Sequence, residues 1–320
     1  TTVSRALSNH YSIGIATKQR VIKLAKELDY QPNHLATALR KGKSRLLGVI
    51  VPYVEGTFFS TVIKSIEQAA SKAGLNVIIC QSHEDAVLEQ RSVETLLHAQ
   101  VVGLVVSLAK GTRNFHHFIK VRERGIPLVF FDRVPISELV NAVVFDDREA
   151  ARQAVHHLIN QGAQRIAHLA GPQHLNIYHQ RCLGYQEALL ACGLPVLSEL
   201  IIVSNMNVED GRQATQQLMG LASPPDGIFG AGDSAILGAL QVLKKQGINV
   251  PHQVKLVGFS NENFTLITEP QLSSVDQRCE EMGTAVVRLF LELTAAPKDD
   301  FVQQQIQLQP NLCYHRRISC

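Results

Sequence analysis

Short, uninterrupted apolar runs alternate with longer amphipathic stretches from residue 46 to residue 260. The runs lack the alternating polarity of half-exposed strands, so they predict strands buried on both faces, as in parallel sheets. The stretches between them carry apolar residues three and four positions apart, which predicts amphipathic helices. The predicted strands are 46–52, 76–82, 101–108, 126–132, 141–146, 165–171, 200–204, 227–232 and 254–260. The predicted helices include 57–73, 85–99, 147–161, 207–221 and 234–246.

The predicted strands form two series of similar length, one ending near residue 132 and one beginning at residue 141. Strands that alternate with helices in this way fold as parallel sheets covered by helices on both faces. The pattern therefore predicts an α/β body, residues 46–320, with two doubly wound parallel-sheet subdomains.

The first thirty residues contain helical patterns and no strand-like run. Val3, Ala6 and Leu7 give residues 1–9 one apolar stripe and leave hydroxyl groups and one arginine away from it. After a turn, residues 15–30 predict an amphipathic helix that packs on its neighbour through Val21, Leu24, Ala25 and Leu28. This pattern predicts a small all-helical head.

The stretch from Tyr30 to Pro52 joins the head to the body. Pro32 suits the first position of a helix of about two turns, whose apolar face includes Leu39. A helix this short is marginal alone, so we expect it to need a partner, such as a second subunit or DNA. Leu39 either wedges between base pairs in the minor groove or contacts the body.

Charge is divided unevenly between head and body. Residues 1–45 carry nine basic and two acidic side chains, a net charge of +7, which leaves −4 on the remainder of a chain whose formal charge is +3. A basic head on a mildly acidic body is typical of nucleic-acid binding, although a solvated basic face gives the same numbers.

Composition narrows the class of protein. Apolar residues make up 45% and charged residues 18%, which are values of a globular chain. The sequence has no apolar run of the ~18 residues that span a bilayer and no leader pattern, so we expect a cytoplasmic protein without a membrane partner. The six cysteines form no C-x-x-C pair, which favours reduced thiols over a disulfide or metal site. We expect no cofactor.

Four segments follow one another in this order: TTVSRALSN, T-x-x-x-V-x-x-x-A-x-x-L-x-Y, PNHLATALR-x-G-K-S and LLGVIVP. Their order and spacing resemble those of the LacI/GalR family of bacterial transcription regulators. The resemblance implies that residues 1–31 are a partial helix-turn-helix domain, because the family's first helix and turn have no counterpart before Thr1. It also implies that residues 32–45 form a hinge helix and linker. The DNA-contacting residues would be Thr1, Thr2, Ser4, Arg5, Asn33 and the intercalating Leu39.

The resemblance further implies a homodimer that binds a pseudo-palindromic, double-stranded operator, more often as a repressor. The body would resemble periplasmic sugar-binding proteins, with a sugar or sugar derivative bound between two lobes. On this basis lobe 1 spans about 46–140 and 278–308, and lobe 2 spans about 141–277 and 309–320.

Ligands of open α/β sheets bind outside the carboxyl ends of the strands, so we examined the residues that follow each run. Phe58 and Phe59 are candidates for stacking on a sugar or base ring, or are ordinary core aromatics. Asp132 and its neighbour Arg133 could hold hydroxyls or join the lobes. The expected effector-binding residues are Phe58, Phe59, Asp132, Asp146, Arg181, Met206, Asp233, Ser260 and Gln277.

Arg181 carries the strongest expectation at this site. The family pattern G-P…R-x-x-G-[FY] matches Gly171-Pro172, a loop ending in Arg181, and Gly184-Tyr185. By resemblance Arg181 is a bidentate anchor for the effector; a structural ion pair is the alternative. The chain departs from the family at Ser260, where G-[FY]-D usually supplies an aspartate, so the effector's identity does not carry over.

Two other classes of protein fit parts of the sequence. An enzyme could use Asp132, Asp146, Asp147 and Asp233, but no hydrolase or metal motif occurs and the adjacent histidine pairs diverge on a helix. Asp147 would more often cap a helix. A secreted sugar-binding protein would suit the body alone, but the basic head and the absent leader oppose it.

Overall fold

The structure, a computed structural model, divides the chain into two compact units, Thr1–Ser44 and Arg45–Cys320. It describes residues 2–7, 9–28, 44–136, 140–295 and 303–313. The predicted hinge helix therefore lies outside the described residues, together with Thr1, Asn33, Leu39 and the side chain of Ser4. No helix in the described ranges is long and apolar enough to cross a membrane.

The described elements follow one another in this order: α1 (Thr2–Leu7), α2 (Ile15–Glu27), β1 (Leu46–Val51), α3 (Thr57–Lys72), β2 (Asn76–Gln81), α4 (Ala86–His98), β3 (Gly103–Val106), α5 (His116–Glu123), β4 (Leu128–Phe131), β5 (Ala142–Phe145), α6 (Asp147–Asn160), β6 (Ile166–Ala170), α7 (Asn176–Ala191), β7 (Ile201–Val203), α8 (Val208–Met219), β8 (Gly227–Gly230), α9 (Asp233–Lys245), β9 (Lys255–Phe259), β10 (Ser273–Asp276), α10 (Cys279–Ala295), β11 (Gln305–Leu308) and β12 (Asn311–Cys313). Short 3-10 turns occupy Ser198–Leu200 and Asn263–Leu266.

The head consists of α1 and α2, which pack against each other in its described part. Ala6 is buried, whereas Thr2 and Arg5 are exposed on α1. Leu24 and Leu28, which the sequence predicts to pack, are 53% and 70% exposed. A six-residue helix is too short to cover that length of α2.

Two six-stranded sheets form the body, in the orders β11-β5-β4-β3-β1-β2 and β12-β10-β9-β8-β6-β7. Every pairing is parallel except that of β10 with β12. The central strands are buried, as their uninterrupted apolar sequences predict. The predicted fold of two doubly wound parallel-sheet subdomains is confirmed.

One strand lies in a different sheet from the one expected. Residues 141–146 were predicted to open the second series, but β5 pairs with β4 through Phe130 and Ala142, and with β11 through Val144 and Gln307. The first lobe therefore continues to Phe145, and the crossing to the second lobe comes at α6. A buried apolar run carries no signal for which of two sheets it joins.

Each sheet contains one point where the strand order reverses. β1 lies between β2 and β3, and β6 lies between β7 and β8. The loops that leave two neighbouring strands at such a point run to opposite faces of the sheet and open a crevice at the carboxyl ends. We refer to the two sheets with their helices as the first and second lobes.

Helices α6 and α7 pack unusually closely on the second sheet. A Cβ on Gly184 of α7 would lie 2.1 Å from the carbonyl oxygen of Arg148 in α6. The next residue, Tyr185, is fully buried and donates from its hydroxyl to the Ile166 carbonyl oxygen at 2.7 Å. Gly184 is thus explained by the packing of two helices, and Tyr185 by its contact with the sheet.

Gly184→Ala is expected to destabilise the body by about 2 kcal/mol or more, because the added methyl forces two helices apart. Gly220→Ala is the matched control, since its Cβ would meet the nearest atom at 3.4 Å, an ordinary contact. Urea unfolding of both variants measures the effect. Equal stabilities would contradict the assigned packing.

His168 is the central residue of β6 in the second sheet and is fully buried. Its ring stacks on Phe229 at 4.8 Å and on Tyr185 at 5.0 Å. Nδ1 lies 3.1 Å from the Phe229 carbonyl oxygen, so the neutral ring donates from Nδ1. Burial, helped by the nearby Arg181 charge and opposed by the bond to the Phe229 carbonyl oxygen, lowers the pKa of His168 to about 4.

This lowered pKa makes the stability of the body depend on pH. Below about pH 6.5 the unfolded chain protonates His168 while the folded chain does not, so stability falls as pH drops towards 4. His168→Asn should therefore lose about 2 kcal/mol less unfolding free energy than the wild type between about pH 7 and pH 5. The exposed His98→Asn serves as the control, and identical pH slopes for all three proteins would disprove the assignment.

Candidate functional site

Residues that follow strands of both sheets line one cavity, with a volume of about 90 Å³, between the two lobes. Several of them adopt positive φ angles, which ordinary side chains rarely do: Asp132 at 57°, Met206 at 67° and Ser260 at 109°. Strained backbone of this kind concentrates at ligand sites. The lining residues expected from the sequence are Phe58, Phe59, Asp132, Arg181, Met206, Asp233, Ser260 and Gln277.

Asp146 does not line the cavity. Its side chain accepts the Glu149 amide at 3.0 Å and thereby caps α6. The following residue, Asp147, is buried and bonds to Arg181. Asp146, and not Asp147, therefore caps the helix. The side chains of consecutive helical residues point about 100° apart, so the two adjacent aspartates face different partners.

Arg181 lies on the second turn of α7, a helix where the sequence indicated a loop. Nε and Nη2 each lie 2.7 Å from Oδ1 of Asp147, and Nη1 donates to the Ala231 carbonyl oxygen at 2.8 Å. The guanidinium carbon lies 3.6 Å from the ring centroid of Phe259. Arg181 therefore makes the structural ion pair considered as its alternative role and also faces the cavity.

Two of the five guanidinium N–H groups of Arg181 are left over after these bonds. The pKa of Asp147 is raised to about 7 by burial, while the Arg181 charge opposes the rise. Two short bonds from a cation hold the carboxylate form, so we treat the pair as charged near neutral pH.

Arg133 forms the corresponding cation of the first lobe. Nη1 donates to Oε2 of Glu84 at 2.8 Å and to the Leu108 carbonyl oxygen at 3.3 Å, and Nε lies 3.9 Å from Oδ2 of Asp132. These partners all belong to the first lobe, so Arg133 does not form a bridge between the lobes. Burial raises the pKa of Asp132, and Arg133 opposes that rise.

Asp233 occupies the start of α9 and is buried. Its carboxylate accepts the Ser274 hydroxyl at 2.8 Å and the Glu262 amide at 2.9 Å. A Cβ on Gly258 would lie 1.9 Å from Oδ1, so the carboxylate needs glycine there. Burial raises the pKa of Asp233 to about 6.

Other lining residues were not predicted from the sequence: Tyr53, Glu55, Lys110, Ile177, Tyr178, Ala231, Ser234 and Glu262. Tyr53 follows β1 directly, so its position after a strand was a usable signal. Arg133, which the sequence suggested could hold hydroxyls or join the lobes together with Asp132, also lines the cavity. Glu262 could not be found by its position after a strand, because it lies at the start of the 3-10 turn Asn263–Leu266.

Two buried nitrogens of the lining residues, Nε2 of Gln277 and Nε of Arg133, have no hydrogen-bond acceptor among the described residues. Buried donors of this kind are rare and mark places where a ligand can supply an oxygen. Within the described ranges no cluster of histidine, cysteine or acidic residues could hold a metal ion.

Side chains from each lobe also bond directly to the other. Glu262 of the second lobe accepts the Thr57 amide, at the start of α3 in the first lobe, at 2.8 Å. Lys110 Nζ donates to the Asn205 carbonyl oxygen at 2.8 Å. Asn176 donates to the Asp132 carbonyl oxygen at 2.9 Å. The two lobes are therefore joined directly by hydrogen bonds at several points.

Glu262→Ala is expected to release the first turn of α3, because Glu262 takes the place of the capping side chain that Gly56 lacks. Loss of a helix cap costs about 1 kcal/mol, so amide exchange at residues 57–60 should accelerate roughly fivefold. Hydrogen–deuterium exchange mass spectrometry measures this rate, with the surface variant Glu209→Ala as control. Unchanged exchange in Glu262→Ala would show that the contact contributes nothing.

Two family models match the chain, one over the body and one over the head. Residues 44–316 match the family model described as periplasmic binding proteins and sugar binding domain of LacI family. Residues 1–33 match the model for bacterial regulatory proteins of the lacI family.

Curated relatives match along most of their length. The HTH-type transcriptional repressor CytR of Escherichia coli (strain K12) is 33% identical over 292 residues, which cover 91% of this chain and 85% of CytR. Catabolite control protein A of Priestia megaterium is 28% identical over 90% of this chain and 87% of its own.

Solved structures agree. The transcriptional regulator CelR in complex with cellobiose aligns with a TM-score of 0.77 and 27% identity, over 97% of this chain and 93% of CelR. The lac repressor dimer bound to operator and the anti-inducer ONPF aligns with a TM-score of 0.85 at 23% identity, over 98% and 93% of the two chains, which supports the fold.

CytR and CelR are transcriptional regulators by name, which confirms the regulator interpretation over the catalytic one. The match of the head also opposes a sugar-binding protein without a role on DNA. Two family models that together cover nearly the whole chain, and a relative at 33% identity, show that the chain belongs to the LacI family of bacterial regulatory proteins.

Proposed function

We propose that this chain is a sequence-specific transcriptional repressor whose grip on an operator is controlled by a small sugar-like effector in the interlobe cavity. The observation that carries the proposal is the convergence of polar side chains from both lobes on one cavity at the carboxyl ends of the strands. The cellobiose complex of CelR supports a sugar or sugar derivative as the effector.

In this proposal Arg181 and Gln277 supply donors to the effector, and Asp132 and Asp233 supply acceptors. Tyr178 and Phe58 offer ring faces at the cavity wall. Asp146 acts indirectly, by capping the helix that presents Asp147 to Arg181. Phe59, Met206 and Ser260 shape the rest of the wall.

The head would contact the operator through α1. Thr2 and Arg5 are exposed there, and side chains of these types bind phosphates and guanine edges in the major groove. Thr1 and Ser4 would join them, and Asn33 and Leu39 would bind at the minor groove through the hinge segment. Two copies in a homodimer would read a pseudo-palindromic site in the cytoplasm.

Effector and operator would be coupled through the angle between the lobes. Residues from both lobes line the cavity, so a bound effector favours one lobe arrangement over another. If the two arrangements also differ in operator affinity, each ligand changes the affinity for the other by the same factor.

The test uses the full chain with an operator selected from random duplexes and an effector found by thermal-shift screening of a sugar library. A true effector at ~100 times its dissociation constant stabilises the protein by about 2.7 kcal/mol. Arg181→Ala should bind the operator but lose the effector response. Arg5→Ala should keep the thermal shift and lose operator binding about tenfold or more.

Because Arg181→Ala leaves Asp147 buried and unpaired, it will lower stability by about 3 kcal/mol or more. The double variant Asp147→Asn, Arg181→Met removes both charges and keeps the comparison interpretable. A normal effector response in either Arg181 variant would exclude the cavity as the effector site. A normal operator affinity in Arg5→Ala would exclude α1 as the reading helix.

A further inference from the structure

We infer that the effector of this cleft is an uncharged, hydroxyl-rich molecule, and that anionic relatives such as sugar phosphates and uronic acids are excluded. The inference rests on the proposed function, because it names the chemical class of the ligand for the same cavity. It follows from the partners of each charged group that lines the cavity or bonds to its wall.

Arg181, the cation of the second lobe, is already neutralised. Asp147 receives two of its N–H groups at 2.7 Å, and both side chains are buried. One face of the guanidinium is covered by Phe259 at 3.6 Å. Arg181 can still donate hydrogen bonds, but its charge is balanced within the protein before a ligand enters.

The two cations of the first lobe share a carboxylate. Glu84 accepts from Arg133 Nη1 at 2.8 Å, and its other oxygen lies 3.6 Å from Lys110 Nζ. Asp132 adds a second negative group 3.9 Å from Arg133 Nε. Arg133 and Lys110 therefore have two carboxylates beside them, which leaves little positive charge to attract an anionic ligand.

The remaining lining groups are negative. Glu55, Asp233 and Glu262 line the cavity and form no ion pair with a lysine, arginine or histidine of the described residues. An incoming phosphate would leave water and meet carboxylates whose charge no cation offsets. Desolvation and like-charge repulsion both oppose that step.

The natural anion site at this cleft is occupied by the protein itself. The first turn of α3 begins after Gly56 and presents the Thr57 amide, the kind of group that holds phosphates at helix N-termini. Glu262 reaches it from the opposite lobe and accepts its hydrogen bond at 2.8 Å. A ligand anion would have to displace this carboxylate.

A neutral polyol fits the groups that are left. Its oxygens can accept from Nε2 of Gln277 and Nε of Arg133, which are buried without an acceptor in the described part of the chain. Its hydroxyl groups can donate to the carboxylates of Asp132, Asp233 and Glu262. The rings of Phe58 and Tyr178 suit the apolar face of a sugar ring.

Inorganic phosphate tests the charge argument without knowledge of the effector. At about pH 8, where phosphate is a dianion, isothermal titration of the full chain with phosphate at constant ionic strength should show no saturable binding that depends on Arg133. Glu84→Gln releases Arg133 and Lys110 and should bind phosphate saturably, about tenfold or more tighter than the wild type. Glu209→Gln, which releases the surface Arg212, is the matched control and should gain nothing.

If Glu84→Gln folds poorly, Glu262→Ala is the second test, because it removes the carboxylate that occupies the Thr57 amide and should also allow saturable phosphate binding. Saturable phosphate binding by the wild type that is lost in Arg133→Met would overturn the inference. Failure of both Glu84→Gln and Glu262→Ala to gain phosphate binding would overturn it too, because the carboxylates would then not be what excludes anions.

A second arm compares neutral sugars with their own phosphates and uronic acids in the thermal-shift screen. Stabilisation by a neutral compound at least about tenfold more potent than that by its anionic partner supports the inference. The reverse order, abolished in the Arg181 double variant, would refute the inference while leaving the cavity as the effector site. No stabilisation by any compound would count against the proposed function, while the phosphate experiment still decides the charge argument.

Discussion

The ion pair between Arg181 and Asp147 ties together the second-lobe wall of the cleft. Through its bonds and its stacking, Arg181 joins α7 to α6, to the Ala231 carbonyl oxygen after β8 and to the ring of Phe259 on β9. A buried pair of this kind adds little net stability, since two charges lose their water, but removing one partner costs several kcal/mol. Its value here is that four elements must take one arrangement for both charges to be satisfied.

In the first lobe, buried carboxylates fix the cavity wall in a similar way. Glu84 accepts hydrogen bonds from Arg133 and from the Lys110 amide, and it pairs with the Lys110 ammonium group. The loop after β3 is therefore fixed through both the backbone and the side chain of Lys110. Glu89, fully buried, holds the same loop from behind by accepting from the Ala109 amide, Thr112 and His117. The loop thus carries Lys110 to the opposite lobe at a defined position.

The body's strands and helices could be read from the sequence because apolar runs and amphipathic periods are properties of each segment alone. The sheet membership of β5 could not, since it depends on which neighbour Ala142–Phe145 finds. For the same reason the arginine at position 181 could be singled out but its partner could not. Asp146 and Asp147 are adjacent aspartates, and helix phase decides which of them caps and which pairs.

The contacts between the lobes bear on how an effector could act. Three hydrogen bonds join the two lobes directly, between Glu262 and Thr57, Lys110 and Asn205, and Asn176 and Asp132. A ligand shifts the balance of lobe arrangements only by the difference in its own affinity for them. Because the three cations of the wall, Lys110, Arg133 and Arg181, already have carboxylate partners within the chain, that difference must come from the hydroxyl and ring contacts inside the cavity. Effector selectivity and the size of the allosteric response are therefore set by the same few side chains.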